Sequence, residues 1–156
     1  MGTFEDEVRQ IEGLKAAGDK AALRRLLAAT TDGAIRSNAI KALAVLRDTA
    51  GICEAFPCLD DWGKTTAIES LGVIGDRIAG PLLRELATDS TLDSYTRDAL
   101  AKSLRAVGGD DAIEGLRRLL DCGDSLVIGT VITILSGMND PKARELLQQH
   151  MQKRSR

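Results

Sequence analysis

An aspartate recurs at the same point of a helical pattern five times along this chain. Asp19, Asp48, Asp76, Asp110 and Asp140 are 29, 28, 34 and 30 residues apart, and each closes one amphipathic segment and opens the next. A period of this length marks an array of short units, each too small to bury its own apolar face. Gly18, Gly75, Gly109 and Asn139 precede four of the five aspartates, and Arg47 precedes the other. Glycine ends a helix in the left-handed conformation, and a carboxylate just after it accepts the free N–H groups of the next helix. Each corner therefore reads as the joint of a helical hairpin. Pro141, directly after Asp140, suits a first helical position, where its missing N–H costs nothing.

Apolar residues spaced i, i+3, i+4 and i+7 flank every corner and predict helices rather than strands. The predicted pairs are 4–17 with 19–29, 33–47 with 48–57, 61–74 with 76–88, 94–107 with 110–121, and 125–137 with 140–152. They group into repeats 4–29, 33–57, 61–88, 94–121 and 125–152. Aromatic residues make up only 3% of the chain, so the core must be aliphatic, which suits closely packed helices. One segment is locally ambiguous. Leu126 to Leu135 is rich in β-branched residues, but a lone strand would leave its backbone groups unpaired, and the repeat register predicts a helix. No linker or shift in composition divides the chain, so residues 1–156 read as one domain.

The run from Gly63 to Leu86 carries a basic residue (Lys64), then Ala67, then Leu71-Gly72, then Gly75-Asp76 at the corner, and Leu82-Leu83 beyond it. This pattern resembles the HEAT-like repeat, in the short variety first described in phycobilin lyases. Arg36 and Arg97 occupy the basic slot of other repeats, and Ile128 departs from it in the last. The second repeat departs further, with Arg47 at its corner and Phe56-Pro57 cutting its second helix short. The resemblance covers about residues 19–150. It implies an all-α fold, an α-α superhelix or solenoid of about five HEAT-like hairpins whose second helices line a concave, ligand-bearing side. It leaves function open, because such families include lyases, hydroxylases, DNA-repair enzymes and adaptors.

Catalytic chemistry finds little footing in these residues. The family's hydroxylases hold iron through His-Glu pairs, whereas this chain has a single histidine, His150, read as a surface residue of the last helix. Cys53, Cys58 and Cys122 lack metal-ligand spacing and read as reduced, buried thiols. No phosphate-binding glycine loop is present. The expectation is a non-enzyme without cofactor or metal. The N-terminus is acidic where a signal peptide would be basic and then apolar, and no apolar run approaches a membrane span, which points to a cytoplasmic protein with no membrane partner.

A protein-interaction scaffold remains, with an accessory factor of a bilin lyase or of nucleic-acid repair as the alternative. Arg24, Arg84, Arg117 and Arg144 recur at comparable places on the second helices. As a guanidinium row they would clamp the carboxylates of a protein or acidic peptide. As a solvated face they would pair with neighbours such as Glu85, Glu114 and Glu145. A net charge of −2 and the scarcity of aromatic faces argue against nucleic acid. Arg36, Lys64 and Arg97 are expected to form a ladder with carboxylates of adjacent repeats, and Trp62 and Tyr95 to pack between repeats. From Ser125 to Met138 no side chain is charged, where a terminal repeat should have a polar outer face. Leu126, Ile128 and Ile132 are therefore the expected interface for a homodimer or partner through the C-terminal repeat.

Overall fold

The computed structural model describes residues 2–156, and these form ten α-helices, two short 3-10 turns and no strand. The helices are α1 (Phe4–Ala17), α2 (Lys20–Ala29), α3 (Gly33–Val45), α4 (Thr49–Ala55), α5 (Asp61–Ile74), α6 (Gly80–Leu86), α7 (Ser94–Val107), α8 (Gly109–Leu119), α9 (Ser125–Gly137) and α10 (Pro141–Arg154). The all-α reading holds, and the β-branched segment 126–135 is helical. Its side chains Val127, Val131 and Leu135 are buried at the spacing of one helix face.

Contacts divide the chain into two compact units, Met1–Ala79 and Gly80–Arg156. The boundary falls inside the third expected repeat, between its two helices. In the first unit α3 packs against α1, α2 and α5, around Ile11, Leu23, Ile35, Ile40, Leu43 and Leu71. In the second unit α8 packs on α6 and α7, while α9 packs on α7 and α10, around Leu83, Leu100, Leu104, Leu116, Val131 and Leu135. Each unit is thus a short stack of hairpins whose apolar stripes cover one another, the arrangement expected of a solenoid.

Caps account for where the helices begin. Asp19, Asp48 and Asp140 accept backbone N–H groups at the starts of α2, α4 and α10, as the corner pattern predicts. A second series does the same for the first helices of the hairpins: Asp32, Asp60, Asp93 and Asp124 cap α3, α5, α7 and α9. Asp110 is a correction. Gly108 and Gly109 both have positive φ, α8 begins at Gly109 with no side-chain cap, and Asp110 lies within its first turn. Arg47 takes the left-handed conformation (φ 54°) without being glycine, the one such residue among those described. Its guanidinium reaches the Ile74 carbonyl at 3.2 Å, which ties this strained corner to α5. The second repeat is cut short as expected, α4 passing into a 3-10 turn at Phe56–Cys58.

The helices within each stack share one register. Counted from its cap Asp32, Ser37 is five residues into α3, and its hydroxyl lies 3.4 Å from that of Thr66, six residues past Asp60. In the second unit Asp98, five past Asp93, accepts at 2.6 Å from Thr130, six past Asp124. The same pair of positions joins neighbouring first helices in both units. Close approach needs glycine at Gly115, where a Cβ would stand 2.7–2.8 Å from the Leu104 methyls and come into contact, at 3.4 Å, with the α6 backbone at Arg84.

Candidate functional site

In the first unit, Arg24 on α2 reaches forward to the cap of α4. Its Nε and Nη2 donate to the two carboxylate oxygens of Asp48 at 2.7 and 2.5 Å, and its Nη1 lies 3.4 Å from Glu54. Asp48 is only 5% exposed, whereas the Arg24 side chain remains 38% exposed, so the carboxylate is withdrawn from water and the guanidinium covers it from the solvent side. Hydrogen bonding from Arg24 holds the Asp48 carboxyl below the usual aspartate range, and the same bond raises the guanidinium. A Cβ at Gly51 would collide with both partners, so the absence of a side chain there is what admits the pair.

The second unit repeats the device. Arg84 on α6 reaches Asp111 in the first turn of α8 at 2.7 Å and Glu85 at 3.1 Å. Arg117 on α8 holds Glu114 through Nε and Nη2 at 2.8 and 2.7 Å, and Arg118 shares that carboxylate at 3.0 Å. These bonds, from Arg117 first and then Arg118, depress the Glu114 carboxyl to about 2. Arg118 also donates to the Arg84 carbonyl at 3.2 Å, tying α8 to the end of α6. Three of the four arginines singled out from the sequence therefore have carboxylate partners. The fourth, Arg144 on α10, is exposed and has no ion pair among the described residues.

Arg117 keeps part of its capacity. Its side chain is 49% exposed, and Nη1 meets only Asp121 at 3.8 Å, beyond hydrogen-bond length. It stands at an open cleft of about 620 Å³ formed where α6 and α8 end, with Arg97, Arg118, Asp121 and Cys122 also on its walls. A smaller cleft of about 240 Å³ occupies the corresponding place in the first unit, with Arg36, Glu54 and Cys58 at its rim and Leu27 and Leu59 below. In both clefts the first-helix arginine serves the backbone. Arg36 donates to the Thr30 carbonyl at 2.9 Å and Arg97 to that of Ser90 at 3.1 Å. These bonds secure the loop before each first helix, and the Arg97 charge also acts on the Asp124 carboxylate at the start of the next repeat, helping to lower it.

Other sequence expectations change. Cys58 is exposed, while Cys53 and Cys122 are half-buried, so none of the thiols is a core residue. Desolvation pushes the Cys53 thiol above its usual range. His150 is half-buried rather than on the surface, with Nε2 shielded from solvent and unbonded. Trp62 is 72% exposed and Tyr95 is also exposed, so neither is buried between repeats. Each lies two residues beyond a cap aspartate, at Asp60 and Asp93, where a side chain points outward at a helix start. Leu126, two beyond Asp124, is likewise 68% exposed, and Ile128 and Ile132 are half-buried on the same helix. No helix of the described residues is long and apolar enough to cross a membrane.

Compared with known families, residues 49–128 match the profile of HEAT repeats, from the first residue of α4 into α9. Neither the curated proteins nor the solved structures yield a match.

Proposed function

The chain belongs to the HEAT-repeat family, whose repeats commonly mediate contacts between proteins, and on that footing we propose that it is a non-enzymatic interaction module. Its ligand is an acidic peptide segment of a partner protein, docked on the second helices of the C-terminal unit. The observation that carries this reading is the state of Arg117: half exposed at the rim of a 620 Å³ cleft, with its Nη1 edge short of any hydrogen bond. Glu114 fixes the other edge and so holds the guanidinium in place before a ligand arrives, which lowers the ordering cost of binding. An incoming carboxylate displaces only Asp121, the weaker and exposed partner. Arg144, exposed on α10, adds a further positive charge to this unit.

Fluorescence anisotropy with a set of labelled twelve-residue peptides of graded Asp and Glu content tests the proposal. Binding is expected to strengthen with acidic content, weaken with salt and fall at least tenfold in Arg117→Glu. Affinity independent of acidic content, or tighter binding of an oligonucleotide of equal charge, would overturn it.

A further inference from the structure

We infer, on the footing of the acidic-peptide reading above, that the cleft at the end of α8 receives a phosphorylated serine or threonine of the bound chain. Three guanidinium groups border this one cavity: Arg97 from the first turn of α7, and Arg117 and Arg118 from the last turn of α8. Each is anchored to the protein by part of its fork, and among the described residues its other N–H groups have no hydrogen bond. Arg97 gives Nη2 to the Ser90 carbonyl at 3.1 Å, which leaves Nε and Nη1. Arg117 gives Nε and Nη2 to Glu114, which leaves Nη1. Arg118 gives Nε to Glu114 at 3.0 Å and Nη1 to the Arg84 carbonyl at 3.2 Å, which leaves Nη2. Glu114 therefore fixes two adjacent guanidinium groups before any ligand arrives. The acidic groups at the cleft do not satisfy the remaining donors. Asp89 accepts from the Thr91 N–H and hydroxyl at 2.9 and 2.6 Å, within its own loop. Asp121 is 71% exposed and no closer to Arg117 than 3.8 Å. Arg97 acts on the cap carboxylates Asp93 and Asp124 through its charge, without a hydrogen bond to either.

The number of open donors selects the ligand. A carboxylate brings a single charge and two oxygens, which one edge of one guanidinium satisfies. A phosphate monoester brings close to two charges and three terminal oxygens at neutral pH, so it engages several guanidinium groups at once. A phosphodiester has one charge and two free oxygens for each group, as a carboxylate has, which sets nucleic acid apart from a phosphorylated side chain. Size separates the remaining sources of a monoester. The cleft of about 620 Å³ matches sites that hold organic ligands and far exceeds what a bare ion fills, and Ala87 and Cys122 add uncharged wall to it. The occupant is a phosphorylated residue together with its flanking chain, and not free phosphate.

Labelled peptides of one sequence, carrying Ala-phosphoserine, Glu-Glu or Ala-Ser at the same central pair of positions, test this with the full chain. Anisotropy at fixed salt is expected to rank the phosphoserine peptide about tenfold tighter than Glu-Glu, whose charge is nearly equal, and Glu-Glu tighter than Ala-Ser. Arg97→Gln is expected to weaken the phosphoserine peptide about fivefold, with circular dichroism verifying the fold. Asp121→Asn, at an exposed position beyond α8, is expected to tighten it about twofold by removing a repelling charge. Equal affinity for the phosphoserine and Glu-Glu peptides sinks the phosphate assignment and leaves the acidic-peptide reading standing. A Glu-Glu peptide that binds no better than Ala-Ser strikes that reading instead. The assignment also fails if inorganic phosphate displaces the phosphopeptide at concentrations near the peptide's own Kd, or if an oligonucleotide of equal charge binds as tightly.

Discussion

Arg24 grips Asp48 with both edges of its guanidinium while the same carboxylate receives the Gly51 N–H at 3.3 Å and caps α4. One nearly buried side chain thereby joins α2 to α4 and starts the second of them. Replacing it removes a cap and leaves the guanidinium with only the exposed Glu54 carboxylate, 3.4 Å from its Nη1, as counter-ion. Asp48→Ala is expected to cost about 2 kcal/mol, and the corresponding fall in thermal midpoint is roughly 4–8 °C. Thermal and urea denaturation check this. A loss no larger than that of an exposed cap such as Asp32→Ala would show the ion pair to be inert.

Acid should loosen the fold in a defined window. The Asp48 and Glu114 carboxyls are both depressed in the folded protein, Glu114 to about 2. Groups lowered in this way bind protons more readily in the unfolded chain. Their contribution is complete above the unfolded values near ~4 and lost as pH falls through the folded ones. Urea midpoints are therefore expected to decline from about pH 4.5 downward, and more gently in Glu114→Gln, which has lost one titrating carboxylate.

Gly115 offers a test of packing that runs against helix propensity. Alanine in a helix interior is favoured over glycine by about 1 kcal/mol. Here its methyl would enter the space of the fully buried Leu104 side chain. Gly115→Ala is expected to destabilise by about 1–2 kcal/mol despite its propensity, and the loss should shrink when Leu104 is also shortened to valine. A double-mutant cycle in denaturant measures both effects.

The thiols should separate by reactivity. Cys58 is exposed, whereas Cys53 is half-buried and its thiol is pushed up by desolvation, with Asp76 and Glu54 adding to the effect. At pH 8, alkylation followed by mass spectrometry is expected to label Cys58 first and Cys53 many times more slowly. Equal rates would mean that α4 opens readily.

The repeat was legible because its signals are local. A glycine and an aspartate at a corner act within three residues, so Asp19, Asp48 and Asp140 could be placed from the sequence. The caps of the first helices are equally local, but loop residues such as Asp32 and Asp93 sit away from the more conspicuous glycine–aspartate corners. Asp110 misled because two glycines precede it, and paired positive φ angles moved the helix start ahead of the carboxylate. Asp110 instead pairs with Lys142 at 2.6 Å, 32 residues away.

The candidate site was less legible for a related reason. Recurring arginines can be seen in a sequence, but their partners lie 24 residues away for Arg24 and 27 for Arg84. Whether a guanidinium is spent or available depends on those distant carboxylates. The outward direction of Trp62, Tyr95 and Leu126 likewise follows from the cap register, which becomes visible only once the first-helix starts are fixed.

Eight of the ten helices begin on a hydroxyl or carboxylate of their own, from Thr3 before α1 to Asp140 before α10. The chain is therefore punctuated at nearly every clause. A residue gained or lost in a connecting loop is absorbed before the next start signal, and the phase of the following helix survives. Such an array tolerates copying errors in its joints, and it can be lengthened or trimmed by whole hairpins without rewriting the ones that remain.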